Sequence, residues 1–277
     1  MKWEILLKNK YTVIGIFLLL IINFNSVNSK ITIEEINFDS ISGFHINVLN
    51  NRIFFWKQPN ITIPENGYPV LFLFHGAVQH AFAWFIGLNQ WSKYQTIFTA
   101  EALEEGFFII TAESLKPVRP GPRAWDIFNN GSNSKDFVMI ENMIEWLVNS
   151  DLPVDKNRLY CAGFSSGAFM CSYIGHHFGN LFNAIAVHSG ANSDSILLTN
   201  RGPYFDLKGS YNFSSSFPPT IIIHGDKDGI VPVQCAENFY SDLQRNDIPS
   251  ILLIDQEEGH IWLSQYDYEI LDWFKTY

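Results

Sequence analysis

Short apolar runs alternate with stretches of helical spacing from about residue 44 to the end, and this pattern constrains the fold more than any other feature. Residues 69–75 and 107–111 are continuous apolar runs, the mark of strands buried on both faces. Residues 158–162, 184–188, 220–224 and 250–254 repeat the pattern. Residues 44–49 and 52–56 read as two earlier strands joined by the turn Asn50-Asn51. Residues 94–105, 136–149, 233–245 and 263–275 read as helices; in the second, Phe137, Ile140, Ile144 and Leu147 fall on one face. The alternation predicts a mostly parallel central sheet with helices on both faces, binding its ligand outside the carboxyl ends of the strands.

One such end is Gly163-Phe164-Ser165-Ser166-Gly167, between the strand at 158–162 and a buried helix beginning near Ala168. A serine on so tight a turn needs small neighbours, and the turn points its hydroxyl out of the sheet. The helix behind it offers backbone N–H groups to a developing oxyanion. The hydroxyl becomes a nucleophile only when a base takes its proton, and the base works best with a carboxylate fixing its tautomer. Asp226 and Asp228 follow the strand at 220–224, and His260 lies between the last strand and the last helix. The order Ser, Asp, His is that of the α/β-hydrolase fold. On position alone, either aspartate can serve as the acid.

The segment from Val154-Asp155 and Arg158 through Gly163-Phe164-Ser165-Ser166-Gly167 to Met170 resembles the nucleophile segment of secreted polyhydroxybutyrate depolymerase and feruloyl esterase-type hydrolases. The resemblance extends to His75-Gly76, Trp125-Asp126, His224-Gly225 with Asp228 and Val231-Pro232, and Gly259-His260 with Trp262. It covers roughly residues 45–275. Departures are Ala77, where the family often has Cys, and Ala168, where many members have Gly.

The resemblance implies an ester hydrolase in which Ser165 attacks, His260 moves the proton and Asp228, rather than Asp226, orients His260. The N–H groups of Ser166 and Ala77 would hold the oxyanion. His75, Trp125 and Trp262 are expected at the substrate. No metal or organic cofactor is required. The expected partner is an ester on a polymer, such as a feruloyl or acetyl group on polysaccharide, or a polyhydroxyalkanoate. The rival readings are a serine peptidase on the same fold, usually carrying a further large domain, and an inactive hydrolase fold used for binding.

The start of the chain reads as a targeting segment. Lys2, Lys8 and Lys10 precede an apolar run at 11–24, and Val27 and Ser29 suit cleavage before Lys30. That predicts a signal peptide over 1–29, a catalytic domain over 30–277 and a secreted product without a membrane partner. A retained anchor is the alternative, although the strictly apolar part, residues 13–22, is short for a span. Sequons at Asn60, Asn130 and Asn212 fit export as glycosylation sites. A net charge of −10 without a basic stripe argues against nucleic acid. Cys161, Cys171 and Cys235 are too few for a disulfide scaffold and leave open one bridge plus a free thiol.

Other motifs have plainer readings. The stretch from Asp226 to Glu237 fails as a calcium loop, since Ile230 and Val231 replace a ligand and a glycine. His176-His177 are adjacent rather than four apart, so no zinc site is expected. His188 and His224 end strands and read as structural, whereas His75 and His80 lie near the site. Trp84, Trp91, Trp125 and Trp262 fall in or near loops around the site, where rings can stack on a substrate. Residues 114–134 and 190–219 are long polar connections of the kind that form lids or rims.

Overall fold

A computed structural model describes residues 31–32, 41, 43–49, 52–87, 90–115, 123–129, 131–199, 202–207 and 209–277. The expected signal segment and Asn130 lie outside the described residues, as does the side chain of Trp91. The strands are β1 (Ile31–Thr32), β2 (His45–Leu49), β3 (Arg52–Lys57), β4 (Tyr68–Phe74), β5 (Phe108–Ala112), β6 (Val154–Phe164), β7 (Ala184–His188), β8 (Ile196–Thr199), β9 (Gly202–Phe205), β10 (Thr220–Gly225) and β11 (Ser250–Asp255). The helices are α1 (Gln90–Glu104), α2 (Lys135–Val148), α3 (Ser166–Phe178), α4 (Val233–Arg245) and α5 (Asp267–Thr276). Among the described residues, nine strands form one sheet in the order β1-β2-β3-β5-β4-β6-β7-β10-β11. From β5 to β11 every pairing is parallel, and β1, β2 and β3 add an antiparallel edge.

The two faces of this sheet carry two cores because successive strand residues point to opposite sides. Phe54, Val70, Phe72, Phe108, Leu159 and Cys161 pack on one side with residues of α2, α3 and α4, among them Met143, Ile174 and Phe239. Phe55, Leu71, Leu73, Ile109, Tyr160 and Ala162 pack on the other with α1 and α5, through Phe98, Ile270 and Phe274. At roughly 2 to 3 kcal/mol for each large apolar side chain buried, these layers are the main force holding the strand ends in place.

The departures from expectation have local causes. α1 starts earlier than its apolar spacing suggests, because Ser92, Gln95, Thr96 and Thr99 are buried polar residues. The hydroxyls of Thr96 and Thr99 donate to the carbonyls of Ser92 and Gln95 one turn back. β6 begins at Val154 rather than 158. Its register with β4 shifts between Tyr68 and Val70, and Asp155 accepts from Arg158 Nε at 2.8 Å to hold the irregular turn. The connection at 190–219 contains the β8–β9 hairpin, whose Phe205 stacks on Phe169 of α3 at 6.1 Å. Its strands are too short for periodicity to reveal. The last helix is preceded by a separate 3-10 turn, Ser264–Tyr266. All three cysteines are free and buried, so the open question of a bridge resolves to none.

Candidate active site

Ser165 sits between the end of β6 and the start of α3 with φ 54° and ψ −115°, a backbone region costly to any residue with a side chain. Its neighbours permit the turn. A Cβ on Gly163 would lie 2.1 Å from Gly167 O, and one on Gly167 would lie 2.0 Å from Phe74 O. The Ser165 N–H donates to His188 O at the end of β7, at 2.9 Å. Its carbonyl accepts from Ala168 and Phe169, closing the first turn of α3.

The hydroxyl of Ser165 stands 2.9 Å from His260 Nε2, and His260 Nδ1 stands 2.6 Å from Asp228 Oδ2. This geometry places the ring proton on Nδ1, donated to the carboxylate, and leaves Nε2 to accept from the serine. Asp228 is buried, and its Oδ1 accepts from the N–H groups of Ile230 and Val231 at 2.8 and 2.9 Å. His224 Nε2 lies 2.9 Å from Val231 O and 3.3 Å from Asp228 Oδ2; both are acceptors, so Nε2 carries the proton. Burial alone would raise the Asp228 carboxyl. Hydrogen bonds from His224, His260 and Val231 outweigh that and hold it well below the usual carboxylate range. Asp226 is exposed, so the aspartate facing His260 is Asp228.

The loop carrying His260 is fastened from beneath by β7. His188 is fully buried and stacks on Trp262 at 4.4 Å and 18°. Its Nε2 accepts from Leu263 N–H at 2.8 Å, so Nδ1 carries the proton and donates to Ser189 Oγ. Ser189 in turn donates to Ile261 O. Burial, reinforced by the neighbouring His224 and His260, pushes the His188 pKa well down and keeps the ring neutral. No sequence signal singled out Ser189, whose φ of 52° is legible only in the fold.

The residues expected at the substrate are placed otherwise. His75, Trp125 and Trp262 are all buried, and each has its polar side-chain atoms taken up inside the protein. His75 Nδ1–H donates to Gly76 O at 2.8 Å, and Nε2 accepts from Ser114 N–H at 3.2 Å. Burial lowers its pKa to about 4. Trp262 donates to Asp267 Oδ1 and packs against Trp84, Phe98 and His188. Trp125 donates its indole N–H to His75 O at 2.8 Å. All three support the site from the interior, and this corrects the expectation of substrate contact. His80 is partly exposed, with Nδ1 2.7 Å from Glu113 Oε1.

Ser166 opens α3, so its N–H has no acceptor one turn earlier in the helix. Ala77 follows β4 on the facing loop, and its N–H has no acceptor among the described residues. Among those residues no group of three or more His, Cys, Asp or Glu is arranged to hold a metal ion.

The buried titratable groups make stability depend on pH with a definite sign. His75 binds a proton only when unfolded between about pH 4 and about pH 6.5, and His188, pushed well down by burial, acts in the same direction below about pH 6.5, so stability rises with pH through that window. Asp267 acts oppositely. Burial raises its pKa to about 8, so the folded state keeps a proton that the unfolded chain loses above about pH 4. Two histidines outweigh one carboxyl below about pH 6.5, and above it Asp267 acts alone. Stability, and with it the melting temperature, is therefore expected to peak near pH 6.5 and to fall toward pH 8, the loss of stability being about 2 kcal/mol at most. Asp267→Asn should flatten the alkaline side while leaving the acid side. A fall from pH 6.5 to 8 that survives in the variant would refute this account.

A mostly parallel sheet flanked by helices, with Ser165 turned outward at the strand ends and hydrogen-bonded to His260, which is in turn bonded to Asp228, is the α/β-hydrolase fold. The acetyl xylan esterase of Aspergillus awamori shares it, with a TM-score of 0.62 at 15% identity over 91% of this chain and all of that one. The chain is 24% identical over 238 residues to a poly(3-hydroxyoctanoate) depolymerase of Pseudomonas fluorescens, covering 83% of this chain and 81% of the depolymerase. It is 26% identical over 276 residues to the dipeptidyl-peptidase 5 of Schizosaccharomyces pombe, spanning 90% of this chain but only 38% of that protein. The sequence profile of the Prolyl oligopeptidase family matches residues 193–277, the part that carries Asp228 and His260.

Proposed function

We propose that the protein is a serine hydrolase that cleaves carboxylic esters through an acyl-enzyme, acting on polymer-linked esters. The observation that carries this reading is the continuous path Ser165 Oγ, His260 Nε2, His260 Nδ1, Asp228 Oδ2, with both steps at hydrogen-bond distance. In the reaction, Ser165 Oγ attacks the ester carbonyl as His260 Nε2 takes its proton, and Asp228 stabilises the imidazolium. The carbonyl oxygen becomes an oxyanion held by the N–H groups of Ser166 and Ala77. Collapse breaks the ester C–O bond, and His260 returns the proton to the leaving alcohol. Water activated by the same histidine then hydrolyses the acyl-serine, releasing the acid and restoring Ser165.

The ester reading draws support from the depolymerase relative, which this chain matches along most of the length of both. A peptidase reading has its own support in the dipeptidyl-peptidase relatives and the prolyl oligopeptidase profile. Export belongs to the proposal, supported by the pattern of residues 1–29 and by the exposure of the sequon residues Asn60 and Asn212.

A fluorophosphonate probe is expected to add once, with peptide mapping placing it on Ser165. Label absent, or on another residue, would sink the hydrolase assignment. Alongside it, kcat/KM for p-nitrophenyl esters, methyl ferulate, acetylated xylan and a polyhydroxyalkanoate is expected to exceed that for dipeptidyl p-nitroanilides. The reverse ranking would move the assignment to the peptidase reading.

A further inference from the structure

The two N–H groups assigned to the oxyanion sit on separate elements, the loop after β4 and the first turn of α3. Their spacing is a tertiary property. Residues 123–126 touch both elements. The Val78 N–H donates to Arg123 O at 2.8 Å, and the Trp125 indole N–H donates to His75 O at 2.8 Å, so the Ala77 loop is gripped on either side. The backbone N–H of Trp125 donates to Ser166 Oγ at 3.1 Å, which grips the other element. The indole also meets Phe74 edge-on, with ring centroids 5.1 Å apart at 90°.

The segment is itself fastened at both ends. Arg123 Nη1 lies 2.5 Å from Glu113 Oε1 and 2.6 Å from Ser114 O. The Asp126 N–H donates to Asp136 Oδ2 at 2.8 Å, and the other oxygen of Asp136 is paired with Arg52. The grip has strain to oppose. Val78 is a β-branched residue at φ 60°, in the left-handed region that disfavours any branched side chain. Packing does not hold it there, since Val78 is 71% exposed. Its backbone bond to Arg123 and the turn contacts between Gly76 and Gln79 do.

We infer that residues 123–126 form a strap setting the distance between the two oxyanion donors, with Trp125 as its positioning residue. The inference rests on the hydrolase reading, because it assigns the strap to that site. Trp125 makes its hydrogen bonds to Ser166 and His75 and its ring contacts to Phe74 and His75, and it acts through them. Misplacing one donor by about an ångström costs up to about 100-fold in rate.

The test is Trp125→Phe, which keeps an aromatic ring and removes the indole N–H. Ester kcat is expected to fall about 10- to 100-fold with KM nearly constant. Inhibition by phenylboronic acid, whose serine adduct places an oxygen in the oxyanion site, should weaken by the same factor. Backbone amides of 76–79 should exchange faster. Should Trp125→Phe fail to fold, Arg123→Gln, which loosens the strap's anchor on Glu113, takes its place with the same readouts. Unchanged kcat, or a rise confined to KM as for a residue lining the substrate pocket, would overturn the inference. If the wild-type protein neither turned over esters nor bound the boronate, the hydrolase reading would fall. Amide exchange would then decide the strap alone, unaltered exchange in the variant overturning it.

Discussion

Asp228→Asn is expected to lower kcat by about 10⁴-fold while leaving the fold intact and KM little changed. The reason lies in how the carboxylate is held. Oδ1 accepts two backbone N–H bonds, from Ile230 and Val231. An asparagine placed there must turn its carbonyl oxygen to those donors, which leaves its NH2 facing His260 Nδ1. That nitrogen then has to accept, so the ring proton moves to Nε2, and Nε2 can no longer take the proton of Ser165 at 2.9 Å. The NH2 also faces His224 Nε2–H, where the carboxylate had been an acceptor at 3.3 Å. Steady-state kinetics on a p-nitrophenyl ester would measure the effect, with Asp226→Asn as the comparison. Asp226 is exposed and should leave kcat within about twofold. A loss under tenfold for Asp228→Asn, or a larger one for Asp226→Asn, would remove Asp228 from the assigned role.

Gly167→Ala should cost at least about 3 kcal/mol and lower the melting temperature by roughly 10 °C. The first turn of α3 is pressed against the backbone at the end of β4. A new Cβ would meet Phe74 O at 2.0 Å, Phe74 C at 2.5 Å and His75 O at 2.8 Å. Backbone atoms of a central strand cannot swing aside as a flexible side chain can, so helix and strand must separate. That separation would pull the Ser166 and Ala77 N–H groups apart, and activity should fall beyond what the stability loss explains. Gly229→Ala is the matched control, because nothing lies within 4 Å of its added methyl group. Thermal melts that fail to distinguish the two variants would show the close approach to be unimportant.

Much of the site was legible because its ingredients are local. A buried strand, a glycine-flanked serine and a buried helix follow one another within residues 158–174, so the outward serine could be read directly. Asp228 and His260 were legible as loop residues in the right order after Ser165. The choice of Asp228 over Asp226 needed family resemblance, since residues two apart in a loop give no sign of which is turned inward. The direction came with the two N–H donors at Ile230 and Val231, which hold Asp228 inward. His75, Trp125 and Trp262 were misassigned for a related reason. An aromatic or histidine at a strand end or in a neighbouring loop looks the same in sequence whether it faces a substrate or packs beneath the site.

Periodicity of apolar residues specifies which segments are strands and helices, because burial on one or both faces depends on near neighbours in the chain. It therefore reached the α/β layering, the strand boundaries to within a few residues and the turn that carries Ser165. Contacts between distant segments specify the rest. Ser165 and His260 meet across 95 residues, and Trp125 meets His75 across 50 and Ser166 across 41. The strain at Val78 and Ser189, the neutral histidine under the His260 loop and the contacts of residues 123–126 with His75, Val78 and Ser166 all depend on which strand ends lie side by side. No local pattern encodes that adjacency; it follows from the sheet order β4-β6-β7-β10-β11, chosen by the packing of the two cores.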